Sequence, residues 1–588
     1  MSARFYPRRF LARCLLGATL GLALPVTAAD SELAAALARA DAAFAASDWS
    51  GYAEVYTALT KRNPDNGDYW YRLGRAQQTL GQVEPALTAF AQASRSGTRV
   101  ARSLAAMASL EAGRGHPEAA VGLFEQARAA KLVNAEQVLL GDPALSALLA
   151  EPRWSARLFP RLDANASRLQ RWQTDLDFLD RRLRETHWQL FAQVEQARWE
   201  SEVQRLRADL GQLEDWQIAL RLMELARLGD SGHTHTLPPF QGDDTFHAAD
   251  IRLQWFSDGL FVTAAPNENK SLVGRRVLRI GNAEPETVLA KVQALVPHDS
   301  ASGLRAFSTL YLTMPEVLMH YGFASSRERL PLTLSDAGAG ELSVELGATA
   351  LSMPRLQAWL QYAEAPPQWA LARNDGAAAT PLWLRHAAQT FWIEPQLQAG
   401  LLYAQLNAVR DSEEESLAQF AARLQQTLAS SESEGLILDL RHNRGGNGEL
   451  LEPLLHALIA TPKLHARGNF YVLIGGRTFS AAALLTGDLE RQLDPLFVGE
   501  RSGAGPTHVG EDNLILLPNS GLAVMAASRI FVRSFSDDQR RAIAPHLTAA
   551  PRFVDYRDNR DPVLAAVFED RGLAFNASSP GAANIEGE

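Results

Sequence analysis

The stretch from Gly435 to Glu500 decides the fold. Within it, residues 436–440 read LILDL, 441–446 read RHNRGG, 470–474 read FYVLI and 475–480 read GGRTFS. LILDL is apolar except for Asp439, and FYVLI carries no charge. Short apolar runs bounded by glycine turns are the signature of strands buried on both faces. Residues 447–459 and 480–493 have helical patterning, and 496–498 begin a third strand. Two β-α-β units in series predict a parallel sheet with right-handed crossovers. Reactive sites gather at the carboxyl ends of such strands, where RHNRGG and GGRTFS both fall.

Ser480 sits at the first turn of a predicted helix. Free amide N–H groups point outward there, and the helix dipole favours negative charge. A hydroxyl that attacks a carbonyl creates an oxyanion, which needs such donors. Ala481 can supply one N–H. Gly446, or Gly445 beside it, can supply the other, because glycine lets the backbone approach the reacting atom. Taken singly, Ser480 also reads as a helix N-cap and Gly445-Gly446 as a turn. Their combination on neighbouring strands points to acyl-transfer chemistry.

LILDLRHNRGG (436–446), GGRTFSAAA (475–483) and FVGERSGAGP (497–506) together resemble the C-terminal-processing, or tail-specific, serine peptidase family. That family runs L-D-L-R-x-N-x-G-G, then T-x-S-A, then V-G-E-x-T-G. The wider likeness spans about 170–570 and includes LGDSGHT (228–234), VGRRVLRI (273–280) and RDPVLAAV (560–567). The resemblance implies an α/β catalytic domain related to the crotonase and Clp-peptidase architecture, a polypeptide substrate and no cofactor.

One departure redirects the chemistry. Family members that use a lysine base would place it at Gly505, and no lysine follows Lys463. The chain instead is similar to the tricorn-like branch, in which a histidine upstream of the main domain is the base. That resemblance points to His233, in Gly229-Asp230-Ser231-Gly232-His233-Thr234. An imidazole with an ordinary pKa near ~6.5 can take the serine proton and return it to a leaving amine. His508, near Gly505, is the alternative base, and His235 is assigned a substrate-side or structural role. For the third residue the branch points to an acid late in the chain, here Asp538, with Asp537 beside it; Asp230 and Asp555 stay open. Asp439 and Arg441 are expected to brace the loop. Some relatives on this fold carry ligands rather than cleave them, so an inactive binding protein is the alternative.

Outward from this block, residues 380–572 form the expected catalytic domain and 573–588 a polar tail. Residues 346–379, rich in proline and alanine, read as a linker. Residues 229–345 switch to strand periodicity, and this β-rich segment, through its strand-strand-helix piece ending in 286–295, resembles part of a PDZ domain. Residues 136–228 read as a helical domain. Residues 30–135 repeat with a period of 34: Trp70, Leu73, Gly81, Ala86 and Phe90 recur as Leu104, Met107, Gly115, Ala120 and Phe124. That period, with DYWYRLGRA at 68–76, resembles the tetratricopeptide repeat and implies a docking surface for a protein partner.

Residues 1–29 read as a secretory signal peptide. Arg4, Arg8, Arg9 and Arg13 precede an apolar run over 14–24, and Val26-Thr27-Ala28 offers a small-x-small cleavage pattern. The apolar run is too short to span the roughly 30 Å of a bilayer core. The expected destination is the periplasm or the outside. Cys14 is the only cysteine, so the exported part has no disulfide, thiolate nucleophile or cysteine-bound zinc. A net charge of −10 with no basic stripe argues against nucleic acid.

Overall fold

The computed structural model describes residues 28–573 apart from 243, 337–339, 361–364, 374–379, 395–396 and 398–399. The expected leader and tail lie almost wholly outside the described residues. The described residues form two compact units that divide between Ala127 and Arg128.

The first unit is built from successive helices: Ala28–Ala45, Trp49–Arg62, Gly67–Thr79, Val83–Arg95, Val100–Gly113 and the start of Pro117–Ala129. Local chemistry sets their starts. Asp48 accepts the N–H of Gly51, and Asn66 accepts those of Asp68 and Tyr69, so each satisfies amides left unpaired in a first turn. The apolar faces meet in a core of Tyr52, Tyr56, Leu59, Leu73, Ala76 and Ala89. Gly74 lets two helices close up, since a Cβ there would lie 2.9 Å from the Phe90 ring.

The second unit centres on a six-stranded sheet. Its order is Leu547–Thr548, Leu496–Gly499, Phe470–Ile474, Gly435–Asp439, Leu401–Leu406 and Phe391–Glu394. All neighbours pair parallel except the last two, which are antiparallel. One face packs on the helices Leu417–Ser430, Leu451–Ile459 and Ala481–Gln492 through residues such as Phe420, Leu454 and Leu485. The other carries the helix Pro562–Asp570 through Val563, Leu564, Val567 and Phe568. Burial on both faces is why LILDL and FYVLI are continuously apolar.

Three boundaries differ from the sequence reading. The helices between Ala135 and Arg227 do not stand apart but belong to the same compact unit as the sheet. Asn134 exchanges two 2.8 Å hydrogen bonds with Asn513 and Leu514. Fully buried Asp175 accepts the N–H groups of Asn519 and Ser520 at 2.9 and 2.7 Å, because a buried carboxylate must find partners. Residues 346–379 are also more than a linker. They hold the end of the strand Glu341–Ala350, the helix Met353–Leu360 and the strand Trp369–Leu371, which pairs with Gly259–Pro266. Leu351 and Leu356 are buried there, and isolated apolar residues among prolines give no periodic signal. Finally, residues 229–236 leave the β-rich part. His235–Thr236 pairs antiparallel with Ala523–Val532, itself hairpinned to Thr507–Leu516.

Candidate active site

Ser480 joins the strand Phe470–Ile474 to the helix Ala481–Gln492. Its backbone has φ 51° and ψ −126°, a conformation that side-chain-bearing residues rarely adopt and that tends to mark functional turns. The tight path is held from below. Thr478, fully buried, donates its hydroxyl to the Leu440 carbonyl at 2.9 Å and accepts the N–H of Gly475 at 3.0 Å. Phe479 N–H donates to the Asn443 carbonyl at 3.1 Å. The Ser480 side chain makes no helix-cap hydrogen bond; its Oγ lies 2.9 Å from Nε2 of His233.

The RHNRGG loop presses against this turn. Asn443 anchors it, donating to the Leu406 carbonyl at 3.0 Å and accepting the N–H of Gly445 at 2.8 Å. Gly445 has φ 102° and Gly446 φ 141°. Val409 N–H donates to the Gly445 carbonyl at 2.9 Å and the Val409 carbonyl accepts from Asn447 at 2.8 Å. These bonds straddle Gly446 in a parallel bridge, which directs the Gly446 N–H away from Val409. Among the described residues no acceptor takes the N–H of Gly446 or of Ala481. The Gly445 N–H is already occupied by Asn443, so of the two glycines Gly446 has the free donor.

His233 reaches Ser480 from a loop tied down residue by residue. Asp230 pairs with Arg541 at 2.7 Å. Ser231 Oγ donates to the Val509 carbonyl at 2.9 Å and accepts the N–H of His233 at 3.1 Å. Gly232 N–H donates to Asp299 Oδ1 at 2.6 Å. Thr234 Oγ1 accepts the N–H of Ala527 at 3.1 Å. The imidazole stacks on Phe479, with ring centres 4.6 Å apart, and lies nearly parallel to His508 at 5.6 Å. Burial lowers its pKa to about 3; His508 adds to the shift and the carboxylate of Asp299 opposes it. The ring is therefore neutral at neutral pH and Nε2 can accept a proton. Nδ1 is buried with no hydrogen-bond partner among the described residues.

The structure does not bring Asp538 to this histidine. Asp538 accepts from Ser534 at 2.5 Å and from the backbone and guanidinium of Arg540 at 3.0 Å. Arg540 holds its carboxyl well below the usual range. An arginine two residues away captures it before any distant ring can. Asp555 caps a short helix and faces Arg560, and Asp230 is held by Arg541. His508 spends Nδ1 on the Gly505 carbonyl at 2.9 Å. His235, beside the site, is pushed by burial to about 3.

Asp439 and Arg441 brace the loop as a buried cluster. Arg441 binds Asp439 and, at 2.8 Å, Asp561, while the Tyr403 hydroxyl donates to Asp439 at 2.7 Å. Three contributors escaped the sequence reading. Asp299 is the carboxylate bonded into the His233 loop, and its Oδ2 is buried without a partner. Arg444 is surrounded by protein, which lowers its pKa to about 10. Asp512 is accessible yet enclosed on most sides, and is pushed up to about 6 despite the pull of Arg444. None of the three has a local sequence signal beyond its charge. Among the described residues no group of three His, Cys, Asp or Glu is arranged to hold a metal.

No family model matches the sequence, and no curated protein does. Solved structures do. A CPAF point mutant superposes with a TM-score of 0.50 at 13% identity, covering 69% of this chain and 97% of that one. The photosystem II D1 C-terminal processing protease gives a TM-score of 0.31 at 14% identity, covering 65% and 93%. The tricorn protease gives 0.33 at 11% identity, covering 69% and 37%. The chain shares its fold with the CPAF structure.

Proposed function

We propose that the chain is a serine-type peptidase of the tail-specific kind, with Ser480 as nucleophile and His233 as general base. The observation that carries this reading is the 2.9 Å contact between His233 Nε2 and Ser480 Oγ, made at a strained strand-to-helix turn. His233, neutral in its buried setting, takes the hydroxyl proton as Oγ attacks the scissile carbonyl. The N–H groups of Gly446 and Ala481 stabilise the oxyanion. His233 then protonates the leaving amine, and water hydrolyses the acyl-enzyme through the same ring. The shared fold with CPAF supports the reading.

We also assign the 34-residue helical repeats of the first unit to tetratricopeptide-type docking of a protein partner. The β-rich part takes a PDZ-like role, and residues 1–29 are an export signal to the periplasm or beyond. No described helix is long and apolar enough to cross a membrane.

The test is Ser480→Ala. Hydrolysis of an unfolded polypeptide should fall by ~10³-fold or more with the melting temperature kept, and a fluorophosphonate should label the wild type alone. Unchanged turnover in the variant would dismiss the nucleophile. A second reading is favoured by the unpartnered Nδ1 of His233: a ligand carrier on the same fold. A folded wild-type chain that neither labels nor hydrolyses would select it.

A further inference from the structure

The second unit contains a cavity of about 1110 Å³ that neither Ser480 nor His233 lines. Its walls come from the strand Arg252–Phe256, the helices Ala301–Tyr311 and Met353–Leu360, and the turn Gly475–Arg477. That turn leads directly into Ser480. The volume suits an organic ligand of drug-like size.

The lining is unusual for this chain. The whole protein carries −10, yet seven arginines face the cavity against four carboxylates. Three of the arginines are paired with carboxylates: Arg441 with Asp439 and Asp561, Arg355 with Asp250, and Arg560 with Asp555 and Asp558. Arg305 is not. It is exposed to the cavity, its guanidinium lies 4.7 Å from the centre of the Trp255 ring, and among the described residues it has no ion pair. Glu500 stands within its field but accepts no hydrogen bond among the described residues; burial raises its carboxyl pKa and Arg305 opposes that rise. Trp255, Trp359, Trp369 and Trp383 supply flat apolar walls. A guanidinium held against an indole offers its planar donor fork to a carboxylate while its aromatic neighbours receive an apolar body.

We propose that this cavity is a binding site for a small carboxylate on an aromatic or apolar body, with Arg305 as its anion-binding residue. The site shares a wall with the catalytic turn. Arg477 donates to the Trp359 carbonyl at 3.2 Å. Phe307 lies 6.3 Å from Trp359 and 5.6 Å from Phe479, which stacks on His233. An occupant against Trp359 therefore presses on groups that position the reacting pair. Binding itself does not depend on hydrolysis.

The experiment uses the full chain with Ser480→Ala, so that turnover cannot intervene, and isothermal titration calorimetry. The probes are 4-phenylbutyrate, its uncharged amide, and an acetylated peptide with a free carboxyl terminus. Saturable binding of 4-phenylbutyrate is expected, about tenfold or more weaker for the amide and for Arg305→Gln, and weaker at high salt. Arg305→Gln should keep the parent melting temperature. Arg305→Lys, keeping the charge without the fork, should bind with intermediate strength. Equal binding of acid and amide, no effect of Arg305→Gln, or no saturable binding would overturn the proposal. Binding of the peptide alone would overturn the small-ligand assignment and point to a chain end instead. A failure here leaves fluorophosphonate labelling of wild-type Ser480 untouched, so the two readings fail separately.

Discussion

A methyl group on Gly445 would stand 2.6 Å from the Cβ of Ser480 and 2.7 Å from the amide nitrogen of Ala481. Two loops from adjacent strands thus meet at backbone level, and the bare Cα of Gly445 is what permits it. Its φ of 102° independently excludes a comfortable side chain.

Gly445→Ala is therefore expected to push the two loops apart. Stability should drop by about 1–3 kcal/mol from overpacking and backbone strain. Peptide hydrolysis should fall by ~10²-fold, the scale of a 1 Å misplacement. Thermal melting and kcat/KM check the two effects, and wild-type turnover would show that the contact does not position Ser480.

The pH dependence follows from the buried imidazole. His233 works as a base only when unprotonated, and its pKa is depressed to about 3. A lowered pKa moves the acid limb of kcat/KM to lower pH. The profile should stay flat through about pH 6.5, where an ordinary histidine titrates. A limb centred there would contradict a ring held neutral by its surroundings.

Asp299 acts through Gly232 rather than on the substrate, as a positioning residue. Asp299→Ala removes the 2.6 Å bond and should lower kcat/KM by roughly 10- to 100-fold, the scale of a hydrogen bond to a charged group. Asp299→Asn keeps an acceptor but removes the charge that favours protonated His233, so the acid limb should move lower still. A purely structural role would leave that limb unmoved.

Arg441 neutralises two buried carboxylates at once. Arg441→Met strands Asp439 and Asp561, both buried, and should destabilise the second unit by about 3–5 kcal/mol. Denaturant melting measures this directly. A loss below about 1 kcal/mol would mean that the carboxylates find other partners or protons.

Much of the site is legible in residues close together in sequence. LILDL and FYVLI announce doubly buried strands because both faces must be apolar. Gly445, Gly446 and Ser480 announce a turn that needs freedom and donors. Asp538 misled for a related reason: its sequence position suited a third catalytic residue, but Arg540, two residues on, answers its charge first. The helices after Ala135 hid their attachment because scattered polar residues, Asn134 and the buried Asp175 among them, make it.

By itself the sequence determined the strand-turn-helix units and singled out Ser480, Ala481 and Gly446 as candidates, since strands, turns and helix starts depend on residues a few positions apart. The resemblance of Gly229–Thr234 pointed to His233, but only the tertiary structure decided the geometry in which it meets Ser480 and what holds it there. His233 arrives across 247 positions, Asp299 steadies its loop from 67 positions away, and the arginine-lined cavity is assembled from segments far apart in the chain. The distances and supports in these meetings are products of chain packing, and no local pattern of residues encodes the part of Asp299 or the cavity.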